Sequence, residues 1–141
     1  MRVLALDLGK RRIGLAISDE LGVTAQGLET YERTSLRVDV ERLAELMESR
    51  GVELILLGEP LHMSGDAGSQ AAWVRDFGGR LSRRTGRPVR YWDERLTSRE
   101  ADRVLRSSGI SIEKRARAID RLSAVILLQS YLDASASGGP V

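Results

Sequence analysis

Four carboxylates stand at positions whose surroundings call for an explanation. Asp7 closes an apolar run, Val3-Leu4-Ala5-Leu6, that is greasy on both faces. Asp forms strands poorly and is seldom buried alone. Desolvating it is costly, so an arginine or a divalent cation must compensate it. Asp93 and Glu94 follow Val89-Arg90-Tyr91-Trp92, where a strand gives way to a loop. Strand ends of this kind host sites in α/β sheets, although single acids there also serve as ordinary loop entries. Asp120 is placed in the first turn of a long apolar helix, where it would complement the helix dipole. Its own face continues with Ala124, Leu127 and Tyr131, which turns it inward.

Taken together, Asp7, Glu94 and Asp120 bring hard oxygen donors from three separate elements, with Asp93 in reserve. Such a set suits Mg²⁺ or Mn²⁺, which also bind phosphate oxygens. Two such ions roughly 4 Å apart serve phosphodiester hydrolysis, and no general-base side chain is then required. His62 is the only histidine and there is no cysteine, so a His-rich or thiolate zinc site is excluded. Without cysteines no disulfide scaffold forms either, and a cytoplasmic location is the default expectation.

The elements that must position these acids follow from periodicity. Arg2–Leu8 reads as a central strand, Gly9-Lys10-Arg11 as a turn, Arg12–Ser18 as a second strand and Val23–Arg33 as a third, interrupted at Gly27. Leu36, Val40, Leu43 and Met47 predict an amphipathic helix over 36–50, ended by Gly51. A buried strand over 52–58 follows, then a loop over 59–68 and a helix over 69–84 weakened by Gly78-Gly79. Next come a strand over 88–92 and, from the capping box Thr97-Ser98-Arg99-Glu100, a helix to about 106. A polar, basic loop over 107–117 precedes the last helix, about 118–134. The order βββαβαβα predicts an α/β domain over 1–135 with a five-stranded mixed sheet flanked by helices, and a flexible tail over 136–141. No apolar run is long enough to span a bilayer, and no cleavable signal pattern precedes the first strand.

Charge is distributed unevenly. Residues 1–70 carry 8 basic and 12 acidic side chains, whereas residues 71–121 carry 14 and 7. A basic half on a near-neutral chain fits either a polyanion partner or a solvated surface. Arg99, Arg103 and Arg106 fall at i, i+4 and i+7 and share a helix face. With Arg95, Lys114, Arg115 and Arg117 they would border Glu94 and Asp120 and contact nucleic-acid phosphates, giving affinity without sequence choice. Gly65, Gly68 and Ser69 could offer backbone N–H groups to a phosphate or simply begin a helix. Tyr91 and Trp92 read as strand core rather than base-stacking platforms.

Four blocks resemble a known family: LALDLGKRRIGLAISD (4–19), GEPLHMSGDAGSQA (58–71), WDERLTSREA (92–101) and IDRLSAVILLQSYLD (119–133). They look like those of the YqgF (RuvX-type) family, provisionally assigned as pre-16S rRNA nucleases and as Holliday-junction-resolvase-like proteins. The resemblance covers nearly the whole chain, in order. It implies an RNase H-like fold and an acidic site of Asp7, Glu94 and Asp120. It further implies a hydrolase that trims the ends of precursor 16S ribosomal RNA during ribosome biogenesis. The partners would be precursor rRNA, the ribosomal precursor particle, or branched and single-stranded DNA, with the protein a monomer or weak homodimer. Two residues depart from the pattern. Glu59 is either a fourth acid or a harmless exposed side chain, and His62 stands where Asn is expected.

Three functions compete beyond this. A branched-DNA resolvase would need a two-fold dimer to make paired cuts. A non-catalytic nucleic-acid-binding module would keep the fold and lose the chemistry. Asp7-Leu8-Gly9 with Gly14 and Asp19 also resembles the first phosphate motif of actin-like ATPases, but those enzymes close two lobes around ATP and this chain supplies one.

Overall fold

The computed structural model describes the backbone over residues 1–59, 67–93 and 112–136, and the side chains over 1–59, 72–92 and 122–135. Strands β1 (Val3–Leu8) and β2 (Arg12–Ser18) pair antiparallel, with Leu6 opposite Leu15 and Asp7 opposite Gly14. The expected third strand is split. β3 (Ala25–Gly27) and β4 (Tyr31–Glu32) are separate short strands, both antiparallel to β2. The break falls just after Gly27, a residue with no side chain to hold a pleat.

Helix α1 (Leu36–Arg50) has the predicted bounds. Ser35 caps it by accepting from the Val38 N–H at 3.3 Å, and Gly51 closes it in the left-handed conformation. Strand β5 (Leu54–Glu59) then runs parallel to β1, helix α2 (Ala67–Thr85) follows, and β6 (Val89–Asp93) runs parallel to β5. Helix α3 (Ile112–Ala136) ends the chain's described part. The sheet order is β3-β2-β1-β5-β6, with β4 beside β2, so the sheet is mixed as expected and, among the described residues, counts six strands because the third is split in two.

Because alternate side chains of a strand face opposite ways, the central strands feed two cores. Leu4, Leu6, Ile55 and Leu57 pack with Val40, Leu43 and Met47 of α1 and with Phe77 and Leu81 of α2. Val3, Ala5, Ala16, Leu54 and Leu56 pack on the other face with Ala124, Leu127, Leu128 and Tyr131 of α3. The apolar character of β1 and β5 on both faces thus follows from helices on both sides.

One further expectation is sharpened and one corrected. Gly78 has a packing role in α2 that its helix propensity does not reveal. A Cβ there would stand 2.6 Å from both Leu57 Cδ1 and Tyr91 Oη, so the glycine lets the helix lie close on β5 and β6. The stretch expected as a basic loop to Arg117 is helical from Ile112. Glu, Lys, Arg and Ala dominate it, all good helix formers, but they carry no apolar stripe for periodicity to detect. The helix predicted over 97–106 and the tail from 137 lie outside the described residues.

Candidate active site at the carboxyl ends of the parallel strands

Strands β1, β5 and β6 run the same way, so their carboxyl ends share one edge of the sheet. Asp7 is the penultimate residue of β1 and is partly buried. It has the parity of Val3 and Ala5, which places it on the face covered by α3. Its partner on β2 is Gly14. Carrying the β1–β5 register one residue past Leu6 and Leu57 sets Gly58 on its other side. The positions paired directly with Asp7 on both neighbouring strands are therefore glycines. Asp7 is nevertheless not without a polar partner.

Helix α3 meets the same face. Ala124, Leu127 and Tyr131 are buried against the sheet, and position 120 lies one turn earlier on their stripe. Since α3 begins at Ile112, Asp120 is eight residues in, and the helix-dipole explanation for it does not apply. Ser123, between them, is buried, and its hydroxyl has no hydrogen-bond partner among the described residues. Sequence reasoning passed over it, since a serine in an apolar helix carries no pattern of its own. Position 93 ends β6, and Glu94 lies outside the described residues.

The remaining acids separate from this set. Glu59 has the parity of Ile55 and Leu57, on the α2 face, and accepts from Arg75 Nη2 at 2.7 Å. Arg75 in turn lies over the Tyr91 ring, 4.4 Å from its centroid. Burial raises the Tyr91 phenol above its ordinary range, and Glu59 adds to the rise against the opposing charge of Arg75. Glu59 is therefore an ion-paired residue on the opposite side of the sheet from Asp7. Asp93 pairs in register with Glu59, which gives its position to the α2 face as well. Among the described residues no group of three Asp, Glu or His side chains gathers. Asp7 is the only member of the predicted triad whose side chain falls among them.

Sequence reasoning also missed a buried carboxylate on α1. Asp39 is fully buried and accepts from Tyr31 Oη at 2.7 Å, Thr34 N at 3.0 Å and Arg33 Nε at 3.2 Å. Burial pushes its carboxyl up, but the donors Thr34, Tyr31 and Arg33 outweigh that and hold it below the usual carboxylate range. Burial and the nearby Asp39 raise the Tyr31 phenol. The signal was available: an acid adjoining the apolar stripe Leu36, Val40, Leu43 needs a partner.

Of the predicted phosphate contacts, Gly68 and Ser69 are the second and third residues of α2 and Gly65 lies outside the described residues. Lys114, Arg115 and Arg117 lie in the first two turns of α3, while Arg95, Arg99, Arg103 and Arg106 lie outside. Trp92 is core, as expected: its Nε1 donates to Ser130 Oγ at 3.2 Å, and its ring meets Tyr131 edge-on at 5.3 Å.

A central acid-bearing strand in a mixed sheet with helices on both faces is the RNase H-like architecture, the class shared by resolvases of the RuvC type. Thermus thermophilus RuvC, solved in complex with a Holliday junction substrate, superposes with a TM-score of 0.59 at 16% identity over 96% of each chain. The fowlpox virus resolvase, solved with Holliday junction DNA, gives 0.58 at 13% identity over 96% of this chain and 99% of that one. The RuvX family, described as Holliday junction resolvase, matches residues 1–134, and the chain belongs to it. Two relatives named provisionally for pre-16S rRNA nuclease are similar throughout. That of Koribacter versatilis is 50% identical over 132 residues, covering 94% of this chain and 86% of its own. That of Syntrophus aciditrophicus is 48% identical over 134 residues, covering 95% and 89%.

Proposed function

We propose that the chain is a divalent-metal-dependent nuclease that trims the ends of precursor 16S ribosomal RNA, with residues 1–135 as one catalytic domain. The observation that carries this reading is the setting of Asp7. It is an acid on the central strand, between glycine positions, at the carboxyl edge of the sheet and on the face shared with position 120 of α3. The names of the relatives supply the substrate class.

Asp7, Glu94 and Asp120 would hold Mg²⁺ or Mn²⁺, and their all-oxygen chemistry fits a hard cation. When bound, the metal lowers the pKa of an attacking water and offsets charge on the leaving oxygen. The protein's own part is to fix one carboxylate on a rigid strand, to leave space beside it by using glycines, and to exclude water with α3. The basic residues Arg95, Arg99, Arg103, Arg106, Lys114, Arg115 and Arg117 would hold the substrate backbone. Among the described residues no helix is long and apolar enough to cross a membrane. A cytoplasmic site of action on a ribosomal precursor particle fits this reading.

The family description favours a second reading, cleavage of branched DNA, which would need a homodimer with two-fold symmetry. The test offers precursor-rRNA-like RNA, single-stranded DNA and a four-way junction, each with Mg²⁺, Mn²⁺ or EDTA. Metal-dependent trimming of the RNA supports the first reading, and paired cuts in the junction support the second. Binding without cutting under any metal would overturn both in favour of a non-catalytic module.

A further inference from the structure

The turn between β1 and β2 is built and charged as a site. It starts two residues after Asp7, at the carboxyl edge of the sheet. Its backbone groups are held from inside. Gly9 N–H donates to the Arg12 carbonyl at 2.9 Å, and Arg33 N–H donates to the Arg11 carbonyl at 2.9 Å. Arg33 Nη1 donates to the Gly9 carbonyl at 3.2 Å. A Cβ on Gly9 would come within 2.6 Å of the Arg12 carbonyl oxygen, so the tight closure requires glycine.

The anchor is itself fixed. Arg33 is held by the buried Asp39 and lies 4.9 Å from the Trp73 ring centroid, so three elements brace one short turn. On the outside, Lys10 and Arg11 are both exposed. Several described arginines face a carboxylate elsewhere in the fold: Arg2 with Glu20, Arg75 with Glu59, Arg80 with Asp76 and Arg84 with Glu41. Among the described residues Lys10 and Arg11 face none. Two adjacent uncompensated cations on a braced turn are arranged for an anion from outside. The Cα of Lys10 lies within about 11 Å of that of Asp7, and that of Arg11 within about 14 Å, by chain reach alone.

We propose that the Gly9–Arg11 turn docks the substrate strand, with Lys10 and Arg11 each neutralising a phosphate one or two nucleotides from the bond placed at Asp7. This rests on the nuclease reading. It adds a contact on the acidic, amino-terminal half of the chain, opposite in sequence to the basic half. The contact confers affinity and register and reads no bases.

The test is the affinity of labelled single-stranded RNA in EDTA, measured across a salt series. Wild type is compared with the Lys10→Gln/Arg11→Gln double variant. An equal charge change, Arg50→Gln/Arg83→Gln, serves as control at the amino edge of the sheet, where Arg50 O accepts from Arg2. Two single-strand phosphate contacts predict a salt dependence flatter by about 1.4 and, at 0.1 M salt, roughly 25-fold weaker binding for the turn variant. The control should bind within about twofold of wild type, and all three proteins should melt together. Equal losses in both variants, or a turn variant that binds like wild type, would overturn the inference alone. Failure of the wild type to bind or cut any nucleic acid would overturn the nuclease reading along with it.

Discussion

The two faces of the sheet surround their acids differently. On the α1 and α2 face, Asp39 sits among Tyr31, Thr34 and Arg33, and Glu59 is joined to Arg75. On the α3 face, Asp7 stands with Gly14 on one side and the register position of Gly58 on the other, and the α3 stripe over it continues to position 120. Burial of an acid therefore does not by itself mark chemistry here. Asp39 is the more deeply buried of the two, and its surroundings are a finished network. What distinguishes Asp7 is that the positions paired with it on both neighbouring strands are glycines.

This contrast can be broken at several points. The largest effect on stability is expected for Asp39→Ala, which strands Arg33 and removes the brace on β4, α1 and the first turn. Breaking a buried pair costs roughly 3–5 kcal/mol, readable as a shift in urea midpoint. Next is Gly78→Val, which drives a side chain into Leu57 and Tyr91. Overpacking of this kind costs about 1–3 kcal/mol and should appear as a lower Tm without loss of the metal response. The Asp39 carboxyl is depressed in the folded protein, so its contribution is fully present above the ordinary unfolded value of about 3.9 and is lost as pH falls through the lower folded value. Acid titration of stability should thus be steeper in wild type than in Asp39→Asn. The smallest effect is expected for Glu59→Gln. The Arg75 partner is half-exposed, and such pairs are worth about 0–1 kcal/mol, so both melting and cutting should stay close to wild type.

Much of this was legible in the chain. β1, β2 and α1 could be read because apolar alternation, the 36/40/43/47 spacing and Gly51 all agree with the tertiary result. Three features were not legible, for separate physical reasons. The basic start of α3 carries high helix propensity but no apolar stripe, so a reading by hydrophobic period began the helix six residues late and put Asp120 in its first turn. Gly78 looked like a helix breaker because its use is a contact with β5 and β6 that only the fold supplies. Lys10 and Arg11 looked like punctuation because their meaning depends on Arg33 and Asp39, distant in sequence, holding the turn. Of the proposed site, Asp7 betrayed itself as an acid in an apolar strand, whereas the preference for Glu94 over Asp93 came from the family resemblance, and Glu94 lies outside the described residues. Position 93 shares the face of Glu59, away from Asp7.

The most direct test sets Asp7→Asn beside Glu59→Gln in the same two assays, metal-dependent cutting of precursor-rRNA-like RNA and melting with and without Mg²⁺. If the α3 face carries the chemistry, Asp7→Asn loses cutting by more than about a hundredfold, beyond what loss of a ligand's supporting partner costs. It also loses the Mg²⁺-induced rise in Tm that binding to the folded state produces, while Glu59→Gln keeps both. An Asp7→Asn protein that still cuts and still responds to Mg²⁺, or a Glu59→Gln protein that loses both, would contradict the assignment.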